Sequence, residues 1–144
     1  MPPFSLSAKI FPTEDPSKIA SAMLNLIPDA TLTRKSGLIT ASSTNVEHIV
    51  KLVTDQKTRY AFLEAVNSGC SGNSFTVYLN KQAAFVSRVN IVDEPGPLGS
   101  IEFSGAVDEP VVFFEKMLDI VGYITSRELR RAERRVEGET GVRS

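Results

Sequence analysis

A single cysteine and a single histidine among 144 residues leave this chain poorly supplied for disulfide, metal or nucleophilic chemistry. Cys70 alone cannot close an internal disulfide, and no cluster of His, Cys and Asp has the spacing of metal ligands. His48 and Cys70 are separated by an expected helix, with no local signature of a base and nucleophile pair. No run approaches the roughly 18 apolar residues of a membrane-spanning helix, which excludes an integral helical membrane protein. The start, MPPFSLSAKIF, lacks the cationic opening and unbroken apolar core of a secretory signal, so a cytoplasmic location is expected. Neither GxGxxG nor GxxxxGK[ST] is present, and Gly96-Pro97-Leu98-Gly99 reads as a turn rather than a phosphate loop. Asp15, Asp29, Asp93 and Glu94 fall at caps and turns, where carboxylates accept backbone hydrogen bonds, rather than in a catalytic pair. No cofactor, metal or enzymatic activity is expected.

Charge of one sign is also missing overall. The formal net charge is −1, so the whole-molecule field attracts neither nucleic acid nor an anionic membrane, and any polyanion site must be a local patch. Two segments qualify. Residues 75–92 contain Lys81 and Arg88 without an acid, and residues 127–135 hold five arginines against Glu128 and Glu133.

Ordinary hydrophobic and charged content, 42% and 23%, fits one globular domain over residues 1–122, followed by an Arg-rich helix or tail over 123–144. Phe4, Leu6, Ala8 and Ile10 alternate with polar residues, the period of a half-buried strand. Asp15 and Pro16 open a helix whose stripe of Ile19, Met23, Leu26 and Ile27 ends at Pro28. Short β-prone pieces flank Lys35-Ser36-Gly37 as a hairpin. Thr44 and Glu47 fit a capping box before a helix reaching about Asn67, which polar residues 54–58 can split in two. Residues 69–73 read as a loop. Strands are expected over Phe75–Asn80, Phe85–Val92 and about Ser100–Val107, then a helix from Pro110 to near Gly122. The resulting fold class is α+β, a largely antiparallel or mixed sheet with helices packed on one face.

The connection Lys81-Gln82-Ala83-Ala84 lacks the Gly, Asn or Asp of a tight hairpin tip, which suggests that its side chains rather than its backbone set its identity. Lys81 can neutralise a phosphate, Arg88 can grip one bidentately, Asn80 and Gln82 can pair with base edges or sugar hydroxyls, and Tyr78 can stack on an unpaired base. The competing reading gives Asn80 and Gln82 to loop backbone groups, Ala83 and Ala84 to packing, and Tyr78 to a subunit interface. Arg34 and Lys35 are secondary candidates. Arg127, Arg130, Arg131, Arg134 and Arg135 recur at helical spacing on one stripe, whose self-repulsion a negative partner would relieve. A solvated, fraying tail is the alternative there.

Several blocks in order resemble one uncharacterised archaeal family whose members share NKQAA before a strand and PLG after it. They are Pro12-Thr13-Glu14-Asp15, Asn25-Leu26-Ile27-Pro28-Asp29-Ala30, Glu47-His48, Gln56, Asn80-Lys81-Gln82-Ala83-Ala84 and Pro97-Leu98-Gly99, spread over about Phe4 to Val121. The resemblance implies the fold of ribosomal protein L-five, RNA as partner and a homodimer. Ser87, where a glycine-type residue is expected, and Ser100, where proline is usual, depart from the family pattern. The function expected is RNA binding through a basic sheet loop. The alternative is a protein–protein adaptor without nucleic acid.

Overall fold

Alternation of apolar and polar residues builds the sheet. In β1 (Phe4–Lys9), Phe4, Leu6 and Ala8 are buried while Ser5 and Ser7 face the other side. The structure, a computed structural model, describes residues 3–93, 99–127 and 129–132. α1 (Pro16–Leu26) begins as expected: Asp15 caps it by accepting from Ser17 N at 3.0 Å, Pro16 supplies the fixed φ of the first turn, and Ile19, Ala22, Met23 and Leu26 are buried. β2 (Thr31–Lys35) and β3 (Leu38–Ser43) form the expected hairpin, with positive φ at both Ser36 and Gly37, the geometry of a tight turn.

α2 (Glu47–Asp55) starts differently from expectation. Val46 is buried and non-helical, so the Thr44 and Glu47 capping box does not form; Asn45 Oδ1 instead accepts from Glu47 N at 2.8 Å. The anticipated split is present, with Lys57 in the left-handed region between α2 and α3 (Arg59–Ser68). The expected loop over residues 69–73 contains a two-residue strand, β4 (Cys70–Ser71), hairpin-paired with β5 (Ser74–Leu79). A Cβ on Gly69 would lie 1.9 Å from Thr76 O, so only glycine lets the chain pass β5 this closely.

The largest correction concerns residues 81–92. They form a helix, α4 (Lys81–Phe85), and only a two-residue strand, β6 (Ile91–Val92), instead of a hairpin loop and a long strand. Asn80 caps α4 by accepting from Ala83 N at 2.9 Å, and Ala83 and Ala84 are buried. The Asn25 amide donates to Ala84 O, and the Gln56 amide pairs with both N and O of Val89, replacing the ladder bonds a strand would have made. Ser87 reverses the chain with φ 57. Last come β7 (Ile101–Ala106) and α5 (Pro110–Met117), the latter ending earlier than Gly122.

The strand order is β2-β3-β1-β7-β5-β4, with β6 on β5, and every pairing is antiparallel. One face of this sheet and the helices enclose the core. At its centre Phe75 meets Phe103 and Phe114 edge-on, each at 5.2 Å between ring centroids, and Phe62 adds a third edge contact to Phe114. Burying each such ring contributes roughly 1.5–3 kcal/mol. Ile124, beyond the expected boundary at Gly122, is also buried in this core.

Candidate nucleic-acid interface

Lys81 was expected to offer its charge to a phosphate, but the helical start at Asn80 turns the side chain inward. It is buried, and its ammonium donates to Lys9 O at 2.8 Å and to Glu14 Oε1 at 3.1 Å, 5.1 Å from the centre of the Phe11 ring. Glu14 Oε1 also accepts from Phe11 N at 2.9 Å. The cation therefore ties α4 to the end of β1 and to the turn after it, and its donors are directed at protein. Asn80 is committed to its helix cap. Gln82 and Arg88 are exposed on and just after α4. Arg34 and Lys35 are exposed on β2, at the opposite end of the sheet from β5. The expected basic loop is thus dispersed rather than assembled.

A cluster that sequence reading missed lies where α3 begins and the chain leaves α5. Tyr60 and Tyr123 pack edge-on with centroids 4.7 Å apart, and both remain exposed, at 47% and 38%. Each ring carries a guanidinium: Arg59 at 5.8 Å from Tyr60 and Arg127 at 5.6 Å from Tyr123. Arg59 Nη1 is held by Leu118 O at 2.9 Å, and Arg127 Nη1 by Glu64 Oε1 at 2.7 Å. Residues 125–127 and 129–132 are helical, the first of the two alternatives for this stretch, which puts exposed Arg130 and Arg131 on the continuation. Arg134 and Arg135 lie outside the described residues.

Glu115 fixes this arrangement. Its carboxylate, 1% exposed, accepts from Ile124 N at 2.8 Å, Thr125 N at 2.9 Å and the Thr125 hydroxyl at 2.9 Å. Burial alone would raise its pKa, but these hydrogen bonds, with one from Gly122 N, outweigh that and hold it below the ordinary glutamate value. An ionised side chain inside the domain thus caps the last helical segment and presents Tyr123 and Arg127.

The sheet's other face, uncovered among the described residues, is lined with hydroxyls. Thr31, Ser42, Ser5, Ser104 and Thr76 stand in register across five strands, and Ser5 and Ser104 are 3.1 Å apart. The next row runs Thr33, Thr40, Ser7, Glu102 and Tyr78. Tyr78, which shares this face with Lys35 on the distant strand β2, lines two depressions. One, of about 300 Å³, opens on the face itself; the other, of about 460 Å³, lies between α3 and β5 and reaches Glu64, the partner of Arg127. Among the described residues no group of three or more His, Cys, Asp or Glu side chains is placed to hold a metal, and no helix is long and apolar enough to cross a membrane.

Fold and surface together define a small α+β protein with a hydroxylated open sheet face and a cationic aromatic patch on its helical side. A family model described as RNA binding matches residues 4–105, and the chain belongs to that family. The UPF0200/UPF0201 protein of Archaeoglobus fulgidus is 29% identical over 81% of this chain, and the UPF0201 protein of Methanocaldococcus jannaschii is 36% identical over 59% of it. The matches span only 36% and 53% of those proteins' own lengths. Among solved structures, the crystal structure of a UPF0201 protein from Methanococcus jannaschii aligns with TM-score 0.71 at 28% identity, covering 80% of this chain and 91% of that one.

Proposed function

We propose that this chain binds RNA without catalysis, gripping it through Arg59, Tyr60, Tyr123 and Arg127, with Arg130 and Arg131 extending the grip. The observation that carries this reading is the exposed tyrosine pair with a guanidinium over each ring. Base stacking on an aromatic side chain contributes about 1–3 kcal/mol per base and tolerates any sequence, while arginine matches phosphate bidentately. Family membership supports RNA as the partner. Arg88, Gln82, Arg34 and Lys35 act at the periphery, Arg134 and Arg135 continue the arginine spacing, and Lys81 contributes by holding the α4 corner. The same reading includes a ribosomal protein L-five type of fold, a cytoplasmic location and a homodimer.

The test is binding to a mixed pool of cellular RNA at two salt concentrations, comparing the intact chain with Tyr60→Ser/Tyr123→Ser, Arg127→Ala and Arg88→Ala. Salt-sensitive binding is expected, weakened strongly by the tyrosine pair and Arg127 variants and weakly by Arg88→Ala. Wild-type affinity in the tyrosine variant would move the site elsewhere. No binding by the intact chain at low salt would overturn the RNA reading and favour a protein adaptor, for which exposed Val121 and Leu129 beside the patch would be the docking residues.

A further inference from the structure

The open sheet face carries an acid where contact with phosphate would be penalised. Glu102 on β7 stands in register between Ser7 on β1 and Tyr78 on β5 and is half-buried. Its carboxylate makes no hydrogen bond or ion pair with another described residue. It lines the depression of about 300 Å³, whose wall also includes Phe11, Tyr78, Ser7 and Lys9. That volume is at the small end of the range for small-molecule sites, fit for one flat ring rather than an extended ligand.

The donor and acceptor pattern decides which ring. An ionised carboxylate only accepts, through two oxygens side by side. Among the bases, guanine presents two adjacent donors, N1–H and the 2-amino group, on its pairing edge. Adenine and cytosine place one amino group beside an acceptor nitrogen, and uracil's single N–H lies between two carbonyls. Only guanine meets both carboxylate oxygens with charge-assisted hydrogen bonds and no opposed acceptor. Phe11 and Tyr78 supply aromatic surface for the base, and the neighbouring hydroxyls suit the ribose.

We infer that the depression around Glu102 is a reading pocket for an unpaired guanine of the bound RNA. This rests on the RNA reading above and adds base selectivity to it. The experiment is fluorescence anisotropy at low ionic strength with short labelled oligouridines carrying one central guanosine, inosine, adenosine or uridine, against the intact chain and Glu102→Gln. Inosine keeps N1–H but lacks the 2-amino group. The intact chain binds the guanosine oligomer best, by roughly 5- to 150-fold over adenosine or uridine, as one bidentate base contact allows, with inosine between. Glu102→Gln, an isosteric change at a half-buried position, abolishes the preference for guanosine while the chain still binds the all-uridine oligomer. Equal affinity of the intact chain for all four oligomers, or a guanosine preference that survives Glu102→Gln, overturns the pocket while leaving RNA binding standing. Failure to bind any oligomer or the cellular RNA pool overturns both.

Discussion

Two ion pairs among the described residues are built from the same parts, a long cationic side chain, a glutamate and an aromatic ring beside the cation, and they differ in exposure. In Lys81–Glu14 the side chains are 4% and 11% exposed, with Phe11 alongside; in Arg127–Glu64 they are 31% and 41% exposed, with Tyr123 alongside. In the first, water is excluded, the ammonium is further bound by Lys9 O, and removing one partner would strand a charge. In the second, solvent screens the attraction, and the glutamate can give way to another anion at little cost. A cation near a ring is therefore a site only where its counter-ion is replaceable. The same chemistry is sealed architecture beside α4 and a solvent-exposed cluster beside α3.

Three substitutions sharpen or break that contrast. Lys81→Met leaves the Glu14 carboxylate enclosed without its cation, and an expected loss of about 3–5 kcal/mol should be read from urea denaturation. A loss below 1 kcal/mol would remove the distinction between the two pairs. Glu115→Gln replaces a carboxylate that organises the Tyr123 and Arg127 segment, at an expected cost of about 1–3 kcal/mol at neutral pH. Because the folded-state pKa of Glu115 is depressed, its contribution is complete above the ordinary value of 4.5 and lost as pH falls through the lower folded value. The gap between wild type and Glu115→Gln should accordingly close in acid; a gap that stays constant from neutral pH to far below the ordinary glutamate value would contradict the assignment. Glu64→Gln should change stability by less than about 1 kcal/mol, while RNA affinity holds or rises as Arg127 loses its internal competitor. A fall in affinity would mean that Glu64 positions Arg127 rather than competing for it.

Features set by local chemistry were legible in the sequence. The alternation of β1, the Asp15 and Pro16 opening of α1 and the turn at Ser36 and Gly37 each depend on neighbours in the chain, and each was read correctly. The α4 region was not, because Phe85, Val86, Val89 and Ile91 are β-prone while the helix is imposed from outside, by burial of Ala83 and Ala84 and by the amides of Asn25 and Gln56. Asn25, Gln56 and Asn80 all belonged to blocks noticed in the sequence, whose structural duties appear only once the chain is folded. Ser87 stood out as a departure from a glycine-type position, and its left-handed backbone supplies the reason. The tyrosine patch was invisible, since nothing in the sequence relates Tyr60 to Tyr123, and nothing local to Glu115 marks its carboxylate as buried. The arginine spacing was readable, but not that its first member would be drawn back onto the domain.

The position of β1 also bears on the time course by which this fold can be reached. The first strand is hydrogen-bonded on one side to β3, whose register pairs Phe4 with Ser43, and on the other to β7, whose register pairs Phe4 with Gly105. A ribosome releasing the chain would yield the β1 to β3 half early, but with one edge of β1 unpaired until the strand at residues 101–106 emerged. Closing that long separation makes the β1 and β7 seam the slow, non-local step of folding. Gly105 lies on that seam, where an added Cβ would come within 2.7 Å of the Phe75 ring and 2.9 Å of the Phe4 ring. A methyl group added there would have to push aside both rings and the Pro3 carbonyl before β1 and β7 could lie this close.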